Sequence, residues 1–362
     1  MKLSDYATGR DNNFNLVRFV AAFSVLYSHS YALVLGIGNF EPFVTRIGYT
    51  LAGIAVDVFF ITSGFLVTAS MLRLGAFKPF FRARALRIFP ALVVMSLLLA
   101  FVLGPALTTL PMADYFTDSG TYRFVLKNST ILAGIKLKLP GVFETLPFGD
   151  TNGSLWTLPF EVRCYVTVAV LWFLALRMRV PTRAFARLAL GLAVLMLLAF
   201  WATHDAGYKH WHTFRLFYMF FAGAVFWMLR DRIPMRHSIA AGMALALAAG
   251  VVFPQAFFWV YPLTVAYLVL YVAYVPGGWI RGFNRLGDYS YGIYIYAFPV
   301  QQLLKSTMPA ITPPQMIVAA TALTLPLAML SWHLVEKPML ARKDASGHKP
   351  THDPRVDPAA AG

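Results

Sequence analysis

The chain has 362 residues, 58% of them hydrophobic and 13% charged, with a mean hydropathy of +0.61 and a formal charge of +15. That much apolar surface excludes a soluble globular protein and indicates an all-α polytopic membrane protein. The lone cysteine, Cys164, excludes an intramolecular disulfide, and there is no Walker loop, no GxGxxG and no Cys/His spacing for a metal.

The first apolar run, 14–35, follows a long leader containing acids and exceeds a typical signal-peptide core, so it reads as a retained membrane helix. It carries Arg18 near its start and His29 past its middle. Eleven residues at ~100° each bring His29 back to within roughly 20° of Arg18, about 16 Å further along. Ionisable groups at membrane depth are expensive and usually face a functional interior. The structural alternative is a snorkelling arginine and a hydrogen-bonded histidine.

The second run, 51–72, holds Asp57 near its centre, followed by Ser63-Gly64. Asp57 and Gly64 share a face, which suits either a site or a helix-packing notch with a polar anchor. Next comes KPFFRARALRIFPAL, read as an inner loop entering a third span at 89–110. Its Arg82, Arg84 and Arg87 are either topological charge or forks for a phosphate-rich ligand. The longest non-membrane stretch, 111–157, is of a length that usually has a function, and reads as an interfacial helix or a cap on the bundle.

The fourth span, 158–176, is preceded by NGSLW, and Ser154 and Glu161 share a face. Arg163 is too far round the helix to pair with Glu161, so each needs a partner from another helix or a polar cavity. Further spans are expected at 185–203, 213–230, 238–253, 256–275, 289–306 and 315–334. The ninth puts Tyr289, Gly292 and Tyr296 on one face. The tenth is followed by Glu336 and Lys337-Pro338, where Pro338 marks a helix end. Residues 1–340 form one membrane-embedded domain, and 341–362 read as a disordered cytoplasmic tail.

Ten spans with a cytoplasmic N-terminus put 21 of the 31 Lys and Arg residues in inner regions or at the inner ends of spans and eight in outer regions or at the outer ends, with Arg18 and Arg163 assigned to the spans themselves. This is the asymmetry of the positive-inside rule with both termini cytoplasmic. The +15 charge therefore reflects topology and anionic lipid, not nucleic acid.

Six pieces carry a resemblance: NLVRFVAAFSVLYSH, DVFFITSGF, RARALRIFP, GSLWTLPFEVRCY, GDYSYGIYIYAFP and SWHLVEKP. In this order the chain resembles the acyltransferase 3 family of bacterial integral-membrane O-acyltransferases, over residues 12 to about 340. The resemblance implies transfer of an acyl group, commonly acetyl, from cytoplasmic acyl-CoA to a hydroxyl of a cell-surface glycan or lipid-linked sugar, in the bacterial inner membrane and without a metal. It carries Arg18, His29 and Glu161 over as catalytic residues and Arg82, Arg84, Arg87 and Ser63 as donor-binding ones. Asp57, Ser154, Trp156, Tyr289 and Tyr296 are expected at the acceptor, and Glu336 in a structural or gating role. Many members have Trp-His where this chain has Tyr296-Ala297, which excludes a catalytic ninth-helix histidine here. An appended esterase-like domain is not expected.

His29 is the best base on offer because its intrinsic pKa lies near neutrality. Arginines would hold the phosphates of CoA while its pantetheine arm reaches towards His29. Ser63, Ser154 or backbone amides would hold the oxyanion. The alternative is a proton-coupled secondary transporter or lipid-linked sugar flippase, which ten spans with buried ionisable groups would also suit.

Overall fold

The computed structural model describes residues 1–9, 11–36, 41–131, 133–179, 181–208 and 210–344. Ten long helices account for most of them: α1 Phe14–Leu35, α2 Leu51–Leu74, α3 Phe77–Leu98, α4 Leu158–Arg177, α5 Thr182–Asp205, α6 Trp211–Met228, α7 His237–Val252, α8 Pro254–Tyr274, α9 Ser290–Thr307 and α10 Pro313–Ser331. Among the described residues there is no strand beyond an isolated bridge between Lys2 and Pro234. Of the tail expected at 341–362, only 341–344 are described, and they complete the helix Lys337–Asp344. The remainder lies outside the described residues.

Among the described residues, seven helical stretches are long and apolar enough to cross a membrane: Phe14–Leu35, Leu51–Leu74, Phe77–Leu107, Gly153–Arg177, Ala184–Asp205, Gln255–Tyr274 and Pro313–Arg342. The other three expected segments fall on α6, α7 and α9. Helix α7 is short, at 16 residues. Helix α9 is polar for a span, with Gln301, Gln302 and Lys305, and it is buried at almost every position from Ser290 to Gln302. A helix enclosed by other helices does not meet lipid, so it can carry hydrogen-bonding side chains that a lipid-facing helix cannot.

The third helix corrects the sequence reading. It begins at Phe77, a dozen residues before the expected 89, so Arg82, Arg84 and Arg87 stand on helical turns and not in a loop. Pro90 invites a helix start, since proline favours the first turn, but here it lies inside the helix. The helix then continues through a π turn at Leu99–Leu103. Within that turn the Ala100 carbonyl accepts from the Tyr115 hydroxyl at 2.8 Å, fastening the 111–157 segment to α3.

Helices α2 and α6 cross with backbones in contact. A Cβ on Gly64 would collide with the Phe220 carbonyl, and one on Gly223 with the Ile61 carbonyl. The Ser63-Gly64 pair is therefore a packing notch on one side, and the serine serves a different face. Thr50 caps α2 by accepting from the Gly53 amide at 2.9 Å.

The 111–157 segment forms two short helices, Met112–Thr117 and Ser119–Thr130, and then folds back over the end of α9. The Gln302 amide donates to the Phe148 carbonyl and, at 2.7 Å, to that of Asp150, and Asn152 donates to Ile295 at 2.9 Å. Of the two expected forms, the segment takes that of a cap on the bundle.

Candidate active site

Five elements converge at the end of the bundle where α1 and α9 begin. Arg18 reaches in from α1 and donates to Asp288 Oδ2 at 3.0 Å. Arg87 reaches in from α3 and donates to the same oxygen at 2.5 Å and to Glu336 Oε2 at 3.3 Å. Asp288 immediately precedes α9, and its other oxygen accepts from the Ser290 hydroxyl at 2.5 Å. Glu336 closes a second π turn, Trp332–Glu336, and accepts from Ser331 at 3.0 Å. Burial alone would raise the Asp288 carboxyl, but Arg18 and Arg87, with Ser290, hold it down at about 2.

Beside this cluster is a narrow cavity of about 80 Å³, whose wall includes Arg18, Arg84, Arg87, Ser63, Glu161 and Tyr165. Ser63 donates to Glu161 at 3.3 Å and lies 3.1 Å from the Tyr165 hydroxyl, which itself donates to Glu161. Arg84 differs from its two neighbours. It makes no ion pair among the described residues, and its Nε is buried without a hydrogen-bond partner. A buried guanidinium without a partner is costly unless a ligand supplies one.

A wider cavity of about 740 Å³ adjoins it towards the other end of the bundle. His29, Ser154, Trp156, Trp211, His212 and Arg215 are among its lining residues. The His29 ring stands edge-on to Phe298, with centroids 5.3 Å apart, and its Nδ1 is buried without a partner. The Ser154 hydroxyl is likewise buried without a partner. Val56 and Tyr294 line both cavities and form a wall common to the two. The Tyr294 hydroxyl is fixed in that wall by Thr157 at 2.6 Å and by the Ser154 carbonyl at 2.5 Å.

The structure thus gathers Arg18, Arg84, Arg87, Ser63 and Glu161 at the narrow cavity, and His29, Ser154 and Trp156 at the wide one. Arg82 is at neither; it is exposed and donates to the Arg342 carbonyl at 3.1 Å. Tyr289 and Tyr296 also line neither cavity. Their face of α9 turns towards α10 and the π turn at its end: Tyr289 meets His333 at 3.3 Å, and a Cβ on Gly292 would press against Ala328. Asp57 is wholly buried behind the wide cavity, 3.4 Å from Arg215 Nε, and accepts from Tyr261 at 2.9 Å.

Sequence reasoning missed Asp288, Tyr165, Tyr294 and Arg215. Tyr294 was within reach of helical spacing, since it lies on the stripe of α9 opposite Tyr289 and Tyr296. Asp288 carried only the signal of an acid just before a helix. The chemistry available is a base-capable imidazole in a roomy aromatic chamber, next to a slender cavity walled by guanidinium and carboxylate groups.

An acyltransferase-domain family, Acyl_transf_3, matches residues 11–333. An O-acetyl transferase of Shigella phage Sf6 is 34% identical over 92% of this chain and 97% of its own length. Nodulation protein 10 of Rhizobium leguminosarum bv. viciae is 30% identical over 93% and 95%. A protein of Komagataeibacter xylinus named as a membrane-bound transacylase is 26% identical over 78% and 75%. No solved structure matches the chain.

Proposed function

The chain belongs to the Acyl_transf_3 acyltransferase-domain family, and on that premise we propose that it moves an acyl group, acetyl above all, from cytoplasmic acyl-CoA to a hydroxyl of a cell-surface glycan or lipid-linked sugar. It is a multi-pass membrane acyltransferase. The observation that carries the finer reading is the pair of adjacent cavities that share Val56 and Tyr294 in their walls, with Arg18, Arg84 and Arg87 on one and His29 on the other. The family assignment favours transfer chemistry over a proton-coupled carrier. The name of the phage relative adds O-acetylation.

The donor enters at the Asp288 end, taken as cytoplasmic. Arg84 is the guanidinium free to meet a donor phosphate, while Arg18 and Arg87 are already engaged and set the cavity's shape. Arg82 serves the cytoplasmic rim. The rise of about 16 Å between Arg18 and His29 is comparable to the extended reach of a pantetheine arm. The acceptor occupies the wide cavity, with Trp156 as an apolar platform. Its hydroxyl oxygen attacks the thioester carbonyl carbon while His29 takes the proton. Ser154, whose hydroxyl is otherwise unpartnered, donates to the resulting oxyanion. The tetrahedral centre then collapses, the C–S bond breaks, and the departing thiolate recovers the proton from the imidazolium. Glu161 orients Ser63 and Tyr165 and supplies the carboxylate that faces Arg84's side of the cavity. Glu336 braces Arg87, and Tyr289 and Tyr296 brace α9 against α10.

We assign ten spans in the bacterial inner membrane, both termini cytoplasmic, and 111–157 outside, on the 21-to-8 split of basic residues. Labelled acetyl-CoA supplied to the cytoplasmic face of membrane vesicles tests the reading. Label is expected in glycan on the opposite face. Solute uptake with no label in glycan overturns it. Reporter fusions after Leu340 that are active only outside the cytoplasm overturn the topology.

A further inference from the structure

The lining of the wide cavity includes one guanidinium, that of Arg215, and no carboxylate among the described residues. Arg215 is 5% exposed, so most of its surface is desolvated. Its guanidinium lies against the rings of Trp211 and Tyr49, at 5.2 and 5.8 Å, which fixes its plane. Asp57 sits behind it on the Nε side, at 3.4 Å, and spends its second oxygen on Tyr261. The two Nη atoms pack over Gly53, itself on the cavity wall, where a Cβ would stand 3.6 and 3.8 Å from them. Neither Nη atom makes an ion pair among the described residues. A rigid guanidinium backed by a carboxylate and offering its outer nitrogens to a chamber matches a forked oxyanion.

We infer that the acceptor carries an anionic group, a carboxylate or a phosphate, that docks on Arg215 in the wide cavity. Asp57 then acts through Arg215 as a positioning residue. This inference rests on the proposed acyl transfer and specifies the acceptor's chemistry.

The test uses the detergent-solubilised full chain with acetyl-CoA and three acceptor probes: octyl glucoside, octyl glucuronide and the 6-phosphate of octyl glucoside. At least about a tenfold preference in kcat/KM is expected for one anionic probe over the neutral one. Whether the carboxylate or the phosphate is preferred identifies the source of the anion. In Arg215→Gln combined with Asp57→Asn, which removes both charges and leaves none buried alone, the preference should collapse to about one. In the unmodified protein, glucuronate or glucose 6-phosphate should inhibit transfer more strongly than glucose, a readout that needs no variant. Transfer to the neutral probe as efficient as to both charged ones overturns the inference and leaves the acyltransferase reading standing. A preference that survives the double variant overturns the assignment to Arg215. Transfer to none of the probes, with labelled donor left intact, overturns the acyl-CoA reading and the inference with it.

Discussion

Arg18 and Arg87, from helices α1 and α3, donate to one and the same oxygen, Oδ2 of Asp288, at 3.0 and 2.5 Å. The carboxylate is therefore the pin that holds the entrance of the narrow cavity, and Glu336 takes the remaining side of Arg87. Replacing Asp288 with Asn leaves Arg18 with no ion-pair partner among the described residues and Arg87 with Glu336 alone. Removal of one partner from a buried ion cluster costs on the order of 3–5 kcal/mol. Asp288→Asn is expected to lower the thermal unfolding midpoint sharply. A double variant that also changes Arg18 to Gln should recover part of the loss, because the uncompensated charge is gone. Equal midpoints for wild type and Asp288→Asn would show that the pin carries no load.

The same carboxyl gives a pH signature. Its folded value, about 2, lies below the ~3.9 of an unperturbed aspartate. A depressed folded pKa stabilises the native state above the unfolded value and ceases to do so as pH falls through the folded one. The stability difference between wild type and Asp288→Asn should therefore be constant above pH ~4 and shrink between ~4 and ~2. Unfolding midpoints across that window check the sign; a difference that grows on acidification contradicts it.

Arg84 and Arg87 look alike in sequence, three residues apart, but the structure gives them different work. Arg87 has two acidic partners and Arg84 has none among the described residues. Arg84→Gln is expected to raise the KM for acyl-CoA by about tenfold or more, with an unfolding midpoint within a few degrees of wild type. Arg87→Gln should lower the midpoint first. Two variants with the same profile would remove the distinction.

The range of the forces involved decides which features a sequence discloses. Helix positions depend on apolar length and local pattern, so α1, α2, α4, α5, α8 and α10 fall where hydrophobic runs predict them. Helix α3 starts earlier than its apolar run predicts, because hydropathy marks the lipid-length stretch and not the helical turns before it, which carry Arg82, Arg84 and Arg87. Arg18, Arg84, Arg87, Ser63 and Glu161 stand out in the sequence by being ionisable or polar at membrane depth. Their pairing is not foreseeable there, because Asp288 comes from a turn far away in the chain. The functional face of α9 escapes sequence reasoning for a related reason. Periodicity identifies stripes, but only the neighbours decide that Gly292 meets α10 and Tyr289 the π turn at its end, while Tyr294 meets the cavities.

The close crossing of α2 and α6 predicts a steep dependence on side-chain size at Gly64. A methyl there has the Phe220 carbonyl in its path, backbone against backbone, so the helices must separate. Overpacking of this kind costs roughly 1–3 kcal/mol or more, and Gly64→Ala should reduce the yield of monodisperse protein in detergent. Gly191, on α5, has nothing within 4 Å of its Cβ position. Gly191→Ala should be neutral or stabilising by about 0.5–1 kcal/mol through helix propensity. Size-exclusion profiles of the two variants, compared with wild type, decide the point.

His29 offers the sharpest separation between chemistry and structure. Its ring is packed edge-on to Phe298 and its Nδ1 has no protein partner, so no hydrogen bond of that atom would be lost on substitution. His29→Gln keeps polarity and approximate volume but cannot accept a proton at neutral pH. If His29 is the base, glutamine and alanine should both remove transfer by about 10²–10⁴-fold, the usual span of general-base contributions. A histidine that only fills space should tolerate glutamine and suffer with alanine. Matched expression and unfolding midpoints make the comparison clean, since neither variant leaves a buried charge. Near wild-type transfer by His29→Gln would defeat the assignment and move the search for the base to Glu161, the carboxylate on the neighbouring cavity wall that makes no ion pair among the described residues.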